Sequence, residues 1–184
     1  MAKESPNVML LIPAYNEEAR IGPVLRDYAG YFRENYEGEF LIVVVLNGCR
    51  DNTLGVVEEA AREFPEIEAL NFQEPIGKGG ALIDGFIKAA DARAVLTGYV
   101  DADGATPPSA FLELVQRCAA GEADCVIGSR WLPGAVLHQS QTKLRRVFSR
   151  GFHVVVGALF WMGIKDTQCP AKVVRREAVG KILE

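Results

Sequence analysis

The chain has 184 residues, 49% of them apolar and 24% charged, which is enough for one hydrophobic core and too hydrophobic for disorder. Twenty basic side chains against twenty-four acidic ones leave a net charge of −4, so the chain as a whole is no polyanion binder and a nucleic-acid role has no support. Four cysteines, at 49, 118, 125 and 169, lack any short C-x₂₋₄-C spacing, and His138 and His153 stand in unrelated contexts, which excludes an ordinary structural zinc site.

Residues 8–12 (VMLLI) read as a buried strand closed by Pro13. A helix is predicted over 17–31, with Ile21, Val24, Leu25 and Tyr28 on one face. Residues 40–46 (FLIVVVL) lack polar alternation, the mark of a parallel strand covered on both sides. Asp51 or Asn52 is placed to cap a helix over 53–64. A short strand over 68–72, a glycine-rich turn over 77–80 and a helix over 81–90 follow. Residues 94–100 form the next buried strand, and Pro107 and Pro108 suit the start of a helix reaching 119. A strand over 124–128 and a long helical pattern over 139–163 complete the series.

This β-α-β-α order predicts one α/β domain over 1–184, a mainly parallel, Rossmann-like sheet flanked by helices on both faces. The Pro133-Gly134 turn is too short to divide domains. No apolar stretch of signal length precedes Pro13, and the longest apolar run, 151–164, falls short of the ~20 residues of a bilayer span. With four free thiols, the expected setting is reducing and cytoplasmic.

In such sheets ligands bind beyond the carboxyl ends of the strands. Three strands here run into polar, conformationally special sequences: Pro13-Ala14-Tyr15-Asn16-Glu17, Asn47-Gly48-Cys49-Arg50-Asp51 and Asp101-Ala102-Asp103-Gly104. Two carboxylates one residue apart, Asp101 and Asp103, can converge on a hard divalent cation, Mg²⁺ or Mn²⁺. Asp-Gly is also ordinary turn chemistry, but the position after VLTGYV favours the metal. Gly77-Lys78-Gly79-Gly80 has the flexible backbone, ammonium and helix start of a phosphate cradle without being a Walker loop. Glu17 can accept from a ribose hydroxyl while also suiting a helix N-terminus, and Asn47 can pair with a base edge. Arg130, after Gly128-Ser129, can neutralise a diphosphate. Lys143, Arg145, Arg146 and Arg150 precede an apolar stretch, a pattern that fits peripheral contact with an anionic membrane surface as well as it fits a core helix with a charged end.

Taken together these residues resemble the inverting family-two glycosyltransferases of the GT-A fold, and within them the dolichyl-phosphate glucosyltransferase and mannosyltransferase group. The matching blocks are Ile12 to Glu17, Gly77-Lys78-Gly79 with Ala81-Leu82, Asp101 to Thr106, Gly128-Ser129-Arg130, and Asp166-Thr167-Gln168-Cys169 with Arg175-Arg176. The resemblance implies that Pro13, Ala14, Tyr15 and Glu17 line the nucleotide pocket, with Asn47 and Asp51 near the base. Asp101 and Ala102 would meet ribose and phosphate, and Asp103 would hold the metal. Arg130 would approach the diphosphate or acceptor, Asp166 would stand near the sugar and acceptor, and Lys172 and Arg175 near phosphates.

Three departures stand out. Leu46-Asn47 replaces the family's usual pair of aspartates, Pro170 replaces a glycine, and Ala105 stands where mannosyltransferases often have glutamine. Members also generally continue past the position of Arg175-Arg176, whereas this chain ends at Glu184, so it is expected to lack their usual C-terminal part. The implied reaction is metal-dependent, inverting transfer of a hexose from a UDP- or GDP-sugar to a polyprenyl phosphate at the membrane surface. A soluble acceptor, or a catalytically silent nucleotide-sugar-binding protein, are the alternatives.

Overall fold

Residues 40–47 are apolar without a break until Asn47, and they form β2 (Phe40–Asn47), whose residues after Phe40 are all buried. In the computed structural model, which describes residues 6–129, 166 and 168–184, β2 lies between β1 (Val8–Ala14) and β3 (Ile67–Phe72). The described sheet has six strands in the order β3-β2-β1-β4-β6-β5, completed by β4 (Leu96–Tyr99), β5 (Cys125–Ile127) and β6 (Lys172–Arg175). β1 to β4 pair in parallel, with Val8 opposite Phe40 on one side and Leu96 on the other, while β6 runs antiparallel to both β4 and β5.

Alternation along the parallel strands divides the core into two layers. Val8, Leu10, Ile12, Ile42, Val44 and Leu46 face α1 (Ile21–Asn35), α2 (Thr53–Glu63) and α4 (Pro108–Ala119). Met9, Leu11, Val43 and Val45 face α3 (Gly77–Asp91) and α5 (Arg176–Leu183). Coverage on both sides is why β1 and β2 carry no polar alternation. In the first layer Tyr28, Phe32 and Phe111 stack edge and face. The Tyr28 hydroxyl donates to the Thr106 carbonyl at 2.8 Å, tying α1 to the loop after β4. Burial pushes this phenol's pKa far up, so the hydroxyl stays a donor.

Several boundaries differ from those expected. β1 runs through Pro13 instead of stopping there. The Leu11 carbonyl accepts from Val100 N–H on the β4 side, and Pro13, two residues on, faces that side beyond the paired part of β4, so its missing N–H removes no ladder bond. α1 begins at Ile21 because the Glu17 carbonyl accepts from both Arg20 and Ile21 N–H at 2.9 Å, making 17–20 a turn. The glycines expected as a turn are the first turn of α3. Their weak helix propensity is outweighed by Ala81, Phe86 and Ala89 packing against the sheet. Gly85 lies so close to β1 that an added Cβ would be 2.9 Å from a Leu11 methyl.

β6 and α5 were not anticipated. β6 enters beside β4 at Gly98, where a Cβ would sit 2.5 Å from the Lys172 carbonyl oxygen. The helix expected over 139–163, the Pro133-Gly134 turn, His138, His153 and Arg130 lie outside the described residues. All four cysteines are free thiols.

Candidate functional site

The carboxyl ends of β1, β2 and β4 open into a cleft of about 280 Å³ lined by Pro13, Ala14, Tyr15, Glu17, Arg20, Asn47, Lys78, Asp101, Ala102 and Asp103. β1 has β2 on one side and β4 on the other, so the chain leaves β1 in one direction and later returns to its opposite flank. That reversal is the switch point at which open α/β sheets bind ligands. Eight of the nine residues expected around the nucleotide line the cleft, and Asp103 joins them.

Asp51, the ninth, does not. Its Oδ1 accepts from Thr53 N–H at 3.1 Å and from the Thr53 hydroxyl, and its Oδ2 from Glu18 N–H at 3.2 Å. Desolvation opposes ionisation, but these hydrogen bonds together hold the Asp51 carboxyl below its usual range. Asn52 stands at the N-cap of α2 without a side-chain capping bond. The expected capping aspartate therefore serves Thr53 N–H from one residue further out.

The same residues join two loops. Asn16, with φ of 54°, accepts Arg50 N–H at Oδ1 (2.8 Å), and Glu18 Oε2 accepts Asn52 N–H (2.7 Å). The buried Thr53 hydroxyl accepts Glu17 N–H at 2.8 Å, and the Cys49 thiol donates to the Ala14 carbonyl. Asn47 Oδ1 accepts Ile76 N–H at 2.7 Å. Its amide NH₂, not its carbonyl, is the group left to face the cleft. The carbonyl half of the amide expected to pair with a base edge thus holds the entrance to α3.

The charged groups of the cleft are paired with one another. Lys78 Nζ lies 2.5 Å from Asp101 Oδ1. Arg20 grips Glu17 with both arms of its guanidinium, Nε to Oε2 at 2.8 Å and a terminal nitrogen to Oε1 at 2.9 Å. Arg20 is the lining residue that sequence reasoning missed; its only signal was a cation three residues after Glu17. Asp103 differs. Its Oδ1 accepts Ala105 N–H at 3.0 Å within the turn closed by Gly104 at φ 70°, and among the described residues no cation pairs with it.

Asp166 is 2% exposed and is absent from the cleft lining. Its carbonyl accepts Cys169 N–H at 3.3 Å. Lys172 Nζ donates to the Cys169 carbonyl and the Tyr99 hydroxyl and sits 5.1 Å over the Tyr99 ring. Lys172 and Arg175 are likewise absent from the cleft lining. Among the described residues no cluster of three or more His, Cys, Asp or Glu side chains converges as for a protein-only metal cage, and no helix is long and apolar enough to cross a membrane.

Residues 9–183 match the family described as glycosyl transferase family 2. A dolichyl-phosphate beta-glucosyltransferase of Trichomonas vaginalis is 36% identical over 176 residues, covering 91% of this chain and 51% of its own length. One of Dictyostelium discoideum is 30% identical, covering 94% and 55%. The chain spans about half the length of the curated relatives it matches. Its fold is that of glucosyl-3-phosphoglycerate synthase from Mycobacterium tuberculosis, solved with Mn²⁺, UDP-glucose and phosphoglyceric acid, at TM-score 0.64 and 20% identity over 94% of this chain and 57% of that one. The GT-A architecture, the acidic turn at the switch point and a match running almost from end to end agree, and the chain belongs to glycosyl transferase family 2.

Proposed function

We propose that this chain forms the donor site and catalytic centre of an inverting glycosyltransferase that moves a hexose from a nucleotide diphosphosugar, a UDP- or GDP-sugar, to a polyprenyl phosphate of the dolichyl type. The observation that carries this reading is the Asp101-Ala102-Asp103 turn at the switch point, sharing one cleft with Glu17 and Lys78. The named activity of the relatives, which align with more than nine-tenths of this chain, favours glucose as the sugar and a lipid phosphate as the acceptor.

Asp103 and Asp101 would hold a divalent cation, Mg²⁺ or Mn²⁺. The donor set fits: both are hard oxygen ligands, Asp103 has an oxygen without a protein partner among the described residues, and too few carboxylates converge to enclose the ion. Such sites complete their coordination with substrate phosphates. The bound ion supplies Lewis acidity toward the departing diphosphate.

The side chains do the rest. Glu17 accepts from the ribose hydroxyls and Tyr15, 52% exposed, offers a ring and hydroxyl at the mouth of the cleft. Pro13, Ala14 and Ala102 shape its floor, and the Asn47 amide donates toward the base. Lys78 neutralises charge growing on the diphosphate, an electrostatic stabilisation concentrated in the transition state. Arg130 adds to it from the segment after β5. A phosphate acceptor is already anionic at neutral pH, so Asp166 orients it rather than acting as an obligatory base. Lys143, Arg145, Arg146 and Arg150 bring the protein to an anionic membrane surface on the cytoplasmic side, where the acceptor lies.

A thermal-shift panel of UDP- and GDP-sugars with and without Mn²⁺ identifies the donor: one nucleotide sugar raises Tm by several degrees with the metal present. Turnover is then measured with polyprenyl phosphate in vesicles and with 3-phosphoglycerate in solution. Transfer to the lipid phosphate is expected; transfer to the soluble acceptor alone replaces the lipid assignment, and donor binding without transfer to either leaves a silent binding protein. Asp103→Ala is expected to lower kcat/KM by about 10²–10³-fold with Tm unchanged. Near-normal turnover of that variant at saturating Mn²⁺ would sink the metal-site assignment.

A further inference from the structure

We propose that Lys78 is a transferable counter-ion: Asp101 holds it in the donor-free cleft, and a divalent cation arriving at Asp101 and Asp103 releases it to the donor's diphosphate. This rests on the donor-site reading above and adds to it a route by which metal and nucleotide binding are coupled.

Three carboxylates, Glu17, Asp101 and Asp103, face two cations, Arg20 and Lys78, across the cleft. The excess of one negative charge opposes entry of a diphosphate. The two cations are held differently. Arg20 makes a two-armed contact with a carboxylate three residues away on the same turn, a rigid fork that gives up both bonds if it leaves. Lys78 makes one contact, to one oxygen, across 23 residues of sequence, and its side chain is 56% exposed. A single ammonium on a flexible stem is the group that can change partners.

Asp101 cannot serve Lys78 and a divalent cation equally, because like charges a few ångströms apart repel. The released ammonium has a destination. Lys78 stands in the first turn of α3, a 15-residue helix with no acidic residue in that turn and no side chain capping its N-terminus. Around Gly77 and Gly79 a Cβ would meet nothing within 4 Å, so there is open space beside this first turn, whose N–H groups have no partner within the helix. An ammonium, first-turn N–H groups and the positive end of a helix then act on one anion. Metal binding removes the competitor for Lys78, and diphosphate binding removes the competitor for the metal. Linkage makes the two effects equal.

Calorimetry of the full chain separates this from simple metal bridging. Mn²⁺ alone, UDP and GDP alone, and each nucleotide with Mn²⁺ are titrated into wild type, Lys78→Gln, Lys78→Arg and Asp101→Asn, and the tighter-binding nucleotide is followed. Lys78→Gln is expected to bind Mn²⁺ alone about three- to fivefold more tightly, as befits loss of an exposed competing ion pair, and to bind nucleotide more weakly. The factor by which Mn²⁺ tightens nucleotide binding shrinks by the same three- to fivefold. Asp101→Asn, by freeing Lys78, is expected to bind nucleotide without metal more tightly than wild type does. Lys78→Arg retains most of the coupling. If Lys78→Gln leaves both the Mn²⁺ affinity and the coupling factor unchanged while nucleotide still binds with Mn²⁺, the exchange is overturned and the donor site stands. If wild type binds neither nucleotide with Mn²⁺, the donor site falls and the exchange with it.

Discussion

On the β1/β2 side of the cleft, segments 14–20 and 49–53 exchange five hydrogen bonds, four donated by backbone N–H groups to side-chain oxygens of the other segment and one by the Cys49 thiol to the Ala14 carbonyl. On the β3/β4 side, the tip of α3 meets the Asp101–Asp103 turn through one exposed ion pair. The first wall is built to keep one shape, since four of these bonds give loop N–H groups an acceptor and the fifth ties the Cys49 side chain to the end of β1. The second is built to change its charge pairing. A nucleoside differs little between donor and product, whereas the diphosphate gains charge during transfer, so a fixed wall suits the former and an adjustable one the latter.

The sharpest way to break this division is at Gly48, where the two walls touch. Its φ is 66°, and a Cβ there would lie 2.6 Å from Pro75 N and 2.9 Å from the Glu74 carbonyl carbon, both backbone atoms. Gly48→Ala combines left-handed strain with a backbone clash and is expected to cost about 3 kcal/mol, read as a fall in Tm of roughly 6–12 °C. An unchanged Tm would mean that the loop entering α3 yields freely, and the fixed wall would end at β2.

A smaller effect is expected at Thr53, whose fully buried hydroxyl holds Glu17 N–H from below. Thr53→Val leaves that N–H without its acceptor, at about 1–2 kcal/mol, and lets Glu17 shift, so donor KM rises while kcat changes little. Thr53→Ser restores both. Lys78→Gln, by contrast, is expected to leave Tm within about 1 °C of wild type, because exposed ion pairs contribute little to stability. Equal losses of stability at Thr53 and Lys78 would erase the distinction between the walls.

The difference between the walls also marks what could be read from residue order. The acidic turn was legible because Asp101-Ala102-Asp103 follows an apolar strand, and β2 because FLIVVVL has no polar position to expose. The stitching of the fixed wall was not: Asn16, Glu18, Asp51 and Thr53 are ordinary loop and capping residues, and only the pairing of β1 with β2 in register, Ala14 opposite Leu46, gives each its partner. The resemblance puts Asp51 near the base and its place before a helix suits it to capping, and the fold engages it with Thr53 and with Glu18 N–H. Asn47 sits where expected, but its carbonyl oxygen is taken by Ile76 N–H, a contact set by the β3–α3 connection. β6 left no local signal, since KVVR is too short to stand alone. Its place depends on Gly98, more than seventy residues earlier, lacking a side chain. Arg20 was hidden in a segment read as helix, where a cation would point to solvent; the turn over 17–20 directs it back to Glu17.

The finest test of the fixed wall is its response to acid. The Asp51 carboxyl is held below its ordinary 3.8 because, against desolvation, the Thr53 hydroxyl and the Glu18 and Thr53 N–H groups bond its ionised form. A depressed folded-state pKa contributes stability that is fully present above the unfolded value and is lost as pH falls through the folded one. The gap in unfolding free energy between wild type and Asp51→Asn should therefore stay constant from pH 7 to about 5 and narrow as pH drops below 3.8. Glu66, whose carboxyl is also lowered, by the Arg33 hydrogen bond acting against desolvation, destabilises both proteins alike over the same range and cancels in the difference. Urea unfolding of the pair across pH 3–7 reads the gap directly. A gap that persisted unchanged at pH 3 would show that Asp51 ties the loops by shape alone and that its charge has no part in holding the two segments together.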